Sequence, residues 1–398
     1  MKRICFLMDS LFSIGGVQRV TAVIASQLAR DNDVTIMTFD KPEMEDTTLY
    51  CLGEAHLAYR FVSYPQLSKL KKMACRAFSG LYLKTSRPLR ALSRPLADKL
   101  SRLYARSSFP SELRQALASE LQQGHYDVIV GVHAPLAARL ATMKPLLSPD
   151  TMLVGWIHNS FEALFGPTSP YIGPERQHYY ICQLRRLDHT VVLSQHDADA
   201  YQDYDSRLRP TVIYNPLTLK PAPPSKGTSR QFLAVGRFSY RHKGFDLLID
   251  AFSLFARQNA EWTLCIVGEG PEQQLYEKKI ADYGLADRIS LQPFTRHIEQ
   301  YYSQAQVYVL SSRWEGFGLV LVEAMAHGLP VVSSNLPTSL EIMGQAGIYF
   351  DNGNTEQLAQ RLLEATQIDW PRKSAEAMAI ATRFGIGAIA ERWSQLIG

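Results

Sequence analysis

Short apolar runs alternate along this chain with stretches whose apolar residues return every three or four positions. Runs at 4–8, 34–39, 128–132, 153–157 and 190–193 predict buried strands, and the periodicity at 16–30 predicts a helix. The pattern then starts again. Strands are predicted at 232–235, 263–267, 289–291, 307–310 and 330–333, with helices at 246–257 and 273–283. Strands separated by helices imply parallel sheets covered on both faces, so the fold class is α/β with two doubly wound halves. Between the halves, Asn215-Pro216 is followed by Pro221, Pro223, Pro224 and Ser225, which cannot continue a helix or a central strand and read as a linker. Ile389, Trp393 and Ile397, at four-residue spacing, predict a last helix within 384–397. Ligands on such sheets bind at the carboxyl ends of the strands, so the chemistry is expected there, in a cleft between the halves.

Length agrees with two domains, because 398 residues exceed what one core usually reaches. A hydrophobic fraction of 46% with 20% charged residues excludes a disordered or fibrous chain. The five cysteines, Cys5, Cys51, Cys75, Cys182 and Cys265, are scattered, form no Cys-x-x-Cys pair and have no histidine at zinc spacing. They read as reduced thiols of a cytoplasmic protein. Asp9 ends the first apolar run too early for a secretory leader, and no apolar run is long enough to span a bilayer.

Charge changes the picture locally. The chain as a whole is only +4, yet residues 66–110 hold eleven lysines and arginines against one acid, Asp98. Leu67, Leu70, Met73, Ala74, Ala77, Phe78 and Leu81 recur there at helical spacing, with Lys69, Lys72 and Arg76 mostly on the other side. A second helix is predicted from Pro95, with Leu96, Leu100 and Leu103 on one face. Two readings stand: a basic amphipathic surface for an anionic membrane or acceptor, or a solvated hairpin whose apolar face covers the domain core. Nucleic acid is not expected, since the window has few aromatics and no recognition motif.

Four segments carry candidate chemistry. Gly15-Gly16 opens the first helix, where backbone N–H groups and the helix's positive end can approach a phosphate. The fingerprint Gly-x-Gly-x-x-Gly is absent, so a nicotinamide cofactor is not supported. Gly236-Arg237 ends a strand, and Arg241, His242, Lys243 and Gly244 follow; a guanidinium and an ammonium there can neutralise a diphosphate without a metal. Gly268-Glu269-Gly270 is another turn after a strand, against which a base can pack. In the segment 311–330, Glu315 lies in the glycine loop Glu315-Gly316-Phe317-Gly318 and Glu323 two turns into the following apolar helix. A buried carboxylate needs partners, and a ribose diol would supply two hydroxyl donors.

Taken in order, Gly15-Gly16, Gly236-Arg237 with Lys243-Gly244, Gly268-Glu269-Gly270, and Glu315-Gly316-Phe317-Gly318 through Glu323 resemble glycosyltransferase family 4, retaining enzymes of the GT-B fold. The resemblance implies two Rossmann-like domains: 1–214 for the acceptor, with the basic insertion 66–110, and 215–380 for a nucleotide-sugar donor, with 381–398 crossing back to the first. It implies that Gly16 contacts donor phosphate or sugar, Arg237 and Lys243 bind the diphosphate, Glu315 meets the transferred sugar and Glu323 the ribose. Gly15, Gly236, Gly268, Gly316, Phe317, Gly318 and Leu319 complete the donor site, and Ile298, in the stretch from Phe294, flanks the base. His133 matches a strand-end histidine near the sugar, and His158 is a further candidate. Gln18 stands where many relatives carry Glu.

The implied activity is hexosyl transfer from a nucleotide-diphosphate sugar to a glycan or lipid-linked oligosaccharide in bacterial-type cell-surface polysaccharide synthesis. Uridine diphosphate sugars are the first donors to consider. No essential metal or other cofactor is expected, and the place of work is cytoplasmic, peripheral on the inner face of the membrane. Two rivals remain open: a non-catalytic nucleotide-sugar-binding scaffold, and a metal-dependent GT-A transferase using Asp197-Ala198-Asp199 or Asp203-Tyr204-Asp205, which fall in a polar stretch read as a helix surface.

Overall fold

A computed structural model describes residues 1–398 except Ser93, Thr168, Lys220 and Pro221, without the side chains of Cys51, residues 86–94, Tyr240 and Arg241. Pro221 of the linker, and the side chains of Cys51, of Arg87, Arg90 and Arg94 in the basic window and of Arg241, therefore lie outside the described residues. The chain divides into two compact units, residues 1–214 with 389–398, and residues 215–388.

The first unit is built on a seven-stranded, wholly parallel sheet. Its strands are β1 (Arg3–Met8), β2 (Asp33–Thr38), β3 (Leu57–Phe61), β4 (Val128–Val132), β5 (Met152–Trp156), β6 (His189–Val192) and β7 (Pro210–Val212), in the order β3-β2-β1-β4-β5-β6-β7. The second carries β8 (Gln231–Val235), β9 (Thr263–Val267), β10 (Ile289–Gln292), β11 (Val307–Leu310), β12 (Val331–Ser334) and β13 (Ile348–Phe350), also parallel, in the order β10-β9-β8-β11-β12-β13. These are two Rossmann-like sheets of the GT-B type. In each, strand order reverses once, between β1 and β4 and between β8 and β11. In open sheets of this kind such a reversal is the usual ligand position.

Central strands are buried along nearly their whole length, because helices cover both faces and no position can face water. The helix Ile386–Ile397 ends in the first unit, where Trp393 is fully buried between Phe6 and Trp156, with ring centroids at 6.2 and 4.7 Å. An aromatic buried in this way contributes about 3 kcal/mol or more. In the second unit, Phe232 packs on Phe255 and Trp262 at 5.4 and 4.6 Å.

The basic window forms two helices, Lys69–Leu92 and Arg94–Ser108. They are held to the body through Tyr82, Tyr104 and Tyr179, with Tyr82 stacked on Tyr104 at 4.3 Å. This bears on the reading in which the apolar face covers the domain core. The face turned to the protein carries Tyr82, Cys75 and Ser79, while Leu70, Met73, Phe78 and Leu81 are exposed. The apolar stripe therefore does not cover the core. Among the described residues, no helix is long and apolar enough to cross a membrane.

Candidate active site

In the second unit, the loops after β8 and β11 are pressed together. A side chain on Gly244, whose φ is 63°, would stand 2.1 Å from the carbonyl oxygen of Ser311, so only glycine lets the two loops meet. At Gly268, a Cβ would lie 1.9 Å from the Gly236 carbonyl oxygen, and this brings the Gly268-Glu269-Gly270 turn alongside the Gly236-Arg237 turn. Arg313 closes the arrangement with a two-pronged contact to Asp246, Nη1 to Oδ1 at 3.0 Å and Nη2 to Oδ2 at 2.8 Å. His242 and Trp314 stack with ring centroids 5.1 Å apart and planes 9° from parallel.

This packing places Lys243 against Glu315. Lys243 Nζ donates to Glu315 Oε1 at 2.7 Å, Ser312 Oγ donates to the same oxygen at 2.6 Å, and His242 Nε2 lies 3.9 Å from Oε2. Glu315 is buried, which by itself raises its pKa, but the Lys243 ammonium, His242 and the two hydrogen bonds outweigh burial and hold the carboxyl below its usual range. His242 is shifted down, chiefly by burial. Arg237, on the loop just after β8, is exposed to solvent. Lys243 and Glu315 are thus in direct contact, Gly236 lies against the Lys243 side chain, and Arg237 is exposed.

The stability linked to Glu315 has a defined sign. A depressed carboxyl pKa contributes stability that is present above the ordinary value of 4.5 and is lost as pH falls through the native value. Melting of the wild type should therefore converge on that of Glu315→Gln as pH drops below about 4.5, and separate from it above. A gap independent of pH would show that the carboxylate charge does not matter.

Glu323 starts from a different position than its sequence suggested. The helix Leu319–Ala326 begins only after Gly318, so Glu323 stands about one turn in, not two. It is 2% exposed and accepts a hydrogen bond from Tyr302 Oη at 3.0 Å. Tyr302 stacks on His327 at 5.1 Å, and His327 Nδ1 donates to the Glu323 carbonyl at 2.7 Å. Ile298 is buried at the start of the helix Glu299–Gln304, and its carbonyl accepts the Tyr302 N–H at 3.2 Å. Tyr308, fully buried, feels both carboxylates: burial, Glu315 and Glu323 push its phenol well above the ordinary value. Phe317 is buried against Phe384, ring centroids 5.6 Å apart, and Gly316 and Leu319 flank it in the loop and at the helix start.

The first unit holds the remaining candidates. Gly15 caps the helix Gly16–Leu28, but its N–H is already given to Tyr50 Oη at 3.0 Å, while Tyr50 Oη donates to the Ser13 carbonyl at 2.7 Å. Asp40 braces the same loop, accepting from the N–H groups of Leu11 and Phe12 at 2.7 and 3.1 Å. Gly16 is exposed beside it. His133 follows β4 with φ 72°, a left-handed conformation unusual outside glycine. Its ring meets His158 edge-on at 5.3 Å. His158 is 7% exposed, burial holds its pKa well below the usual range, and neither ring nitrogen has a hydrogen-bond partner among the described residues. Burial lowers the pKa of both histidines, more strongly that of His158.

Two expectations are corrected. Asp197 is not on a helix surface: it is 1% exposed and accepts from Ser194 Oγ at 2.6 Å and the Phe161 N–H at 2.7 Å, so its carboxylate braces the local chain. Cys182 does have a histidine close by: His178, four residues earlier on the helix Pro174–Leu184, lies 3.4 Å from its sulfur, and Asp98 is 2.9 Å from His178. Arg185 donates to Asp98 at 2.9 Å and to Cys182 at 2.7 Å, so a guanidinium stands where a cation would sit. The residues missed from sequence were Tyr302, Trp314, Arg313 with Asp246, Tyr50 and Ser312. Ser312 alone carried a signal, since a serine three before a glutamate is a familiar loop pairing.

Comparison with known proteins agrees with this architecture. The family model for Glycosyltransferase Family 4 matches residues 14–220, and that for Glycosyl transferases group 1 matches 218–383. A relative in Haemophilus influenzae, named an uncharacterized glycosyltransferase, is 26% identical over 317 residues, 75% of this chain and 86% of that one. The lipopolysaccharide core biosynthesis mannosyltransferase LpsB of Rhizobium meliloti is 33% identical over 177 residues, covering 40% of this chain and 49% of its own. Among solved structures, Anabaena HepE in complex with UDP and glucose superposes with a TM-score of 0.74 at 19% identity, over 100% of this chain and 99% of that one. At that identity the last likeness carries the fold alone.

Proposed function

The chain belongs to glycosyltransferase family 4 and is a glycosyltransferase of the kind that builds bacterial polysaccharide and lipopolysaccharide; from that premise we propose a retaining hexosyl transfer with a nucleotide-diphosphate sugar as donor. The observation that carries it is the Lys243–Glu315 pair at 2.7 Å, set in glycine loops at the point where strand order reverses. In this reading the diphosphate takes up Lys243 Nζ and the Arg237 guanidinium, which neutralise the negative charge that develops as the donor's C1–O bond breaks. Both electrons of that bond leave on the phosphate oxygen. The acceptor hydroxyl attacks from the same face, and its proton passes to the departing phosphate oxygen, so configuration is kept without a carboxylate nucleophile. Glu315 meets hydroxyls of the transferring sugar, and Glu323 accepts from the ribose. The first unit, which carries Gly15, Gly16 and His133, takes the acceptor, a glycan or a lipid-linked oligosaccharide.

UDP is the first nucleotide to test, because HepE was crystallised with it. The place of work follows from the acceptor class: the cytoplasmic face of the membrane, as a peripheral protein. The test is a thermal-shift screen of nucleoside diphosphates and their sugars, followed by transfer assays with chelator present. One diphosphate series should raise the melting temperature by several degrees at saturation, and transfer should survive chelator. Loss of transfer on chelation, restored by manganese, would overturn the metal-free mechanism; no shift with any diphosphate would overturn the donor class.

A further inference from the structure

We propose that the outer face of the helix Lys69–Leu92 is a membrane-docking surface that inserts its apolar stripe into a bilayer rich in anionic phospholipid. This deepens the functional reading above and rests on it for the acceptor. The observation is the direction of the stripe. At about 100° per residue, Leu70, Met73, Ala74, Ala77, Phe78 and Leu81 fall within one arc of roughly 140°, and every one of them is exposed. Leu70 is 76%, Met73 65% and Leu81 59% exposed, values that no core-covering helix would show. Lys69, Lys72 and Arg76 form the adjoining strip and are also exposed. Apolar residues bordered by cations match the interface between acyl chains and acidic headgroups.

Charge selects the occupant. The window 66–110 carries eleven basic residues and one acid, so a second copy of this chain would bring like charge against like. The single acid does not offset the outer face, because Asp98 is bound to Arg185 and His178, both at 2.9 Å. An anionic bilayer supplies both a home for the leucines and the counter-charge.

Sedimentation of the full chain with vesicles tests this. Phosphatidylcholine vesicles containing phosphatidylglycerol should bring it down at low salt and phosphatidylcholine alone should not, with binding weakened by high salt. Lys72→Ala with Arg76→Ala should weaken binding roughly tenfold or more, and Leu70→Glu with Leu81→Glu should abolish it. Met73→Trp should add blue-shifted emission on anionic vesicles only, the signature of insertion. Failure of the wild type to sediment with anionic vesicles overturns the proposal. So does a dimer in solution that the double glutamate variant converts to monomer, since the stripe would then belong to a second copy. Melting temperature and its shift with nucleoside diphosphate should be unchanged in all variants. In the wild type, no vesicle binding with an intact shift condemns the docking surface alone, whereas a missing shift condemns the donor reading.

Discussion

Lys243→Ala should lower turnover by roughly 10²-fold or more, the cost of removing one focused cationic contact from a developing oxyanion. It should also destabilise the second unit, for a separate reason. Glu315 is buried, and loss of its ammonium partner at 2.7 Å leaves a desolvated charge with, among the described residues, Ser312 and the more distant His242, at a cost of about 3 kcal/mol. The two effects can be separated by pairing Lys243→Met with Glu315→Gln. Removing both charges should restore the melting temperature while turnover stays low. Arg237→Ala offers a cleaner comparison, because Arg237 is exposed and its loss should leave melting unchanged. Its turnover should again fall roughly 10²-fold. Near-wild-type rates in both Lys243→Ala and Arg237→Ala would remove the diphosphate from this loop.

The Lys243–Glu315 contact also shows what sequence could and could not convey. Both residues were legible as chemistry, one after the strand 232–235 and the other in the glycine loop 315–318. Their pairing was not, because it depends on Gly244 letting the loop pass the Ser311 carbonyl. The sequence reading assigned them separate ligands, while the structure joins them before any ligand arrives. The two assignments are compatible if the ion pair pre-positions the ammonium, since a lysine held by a buried carboxylate loses less freedom on meeting a phosphate.

Legibility along the sheet followed burial. β4 and β11 were predicted with the bounds observed, since a strand covered on both faces is an unbroken apolar run. β3, β7 and β13 were not predicted. β3 is only half-buried at the sheet edge, and β7 and β13 are three residues long, β7 starting on proline. So short a run leaves no periodicity to detect. The amphipathic pattern was read correctly as a helix from Lys69 on, with Leu67 lying before it, but a pattern does not say which face meets the protein. Tyr82, stacked on Tyr104, decided that, and the aliphatic stripe was left outside.

Glu323→Ala should weaken nucleoside diphosphate binding by roughly 10²-fold, since a carboxylate accepting two hydroxyl donors contributes about 3 kcal/mol or more through charged hydrogen bonds. Glu323 accepts from Tyr302 Oη, and its burial makes any bond it accepts stronger than in water. Two controls isolate the ribose. Wild-type protein should bind the 2′-deoxy diphosphate at least about tenfold more weakly than the ribose form, and Glu323→Gln should lose most of that discrimination. Tyr302→Phe keeps the ring that stacks on His327 and removes the hydroxyl donor alone, so it should weaken binding less than Glu323→Ala does. Equal binding of ribose and deoxyribose forms by the wild type would leave Glu323 with a structural role beside Tyr302, and the ribose would have to be held elsewhere.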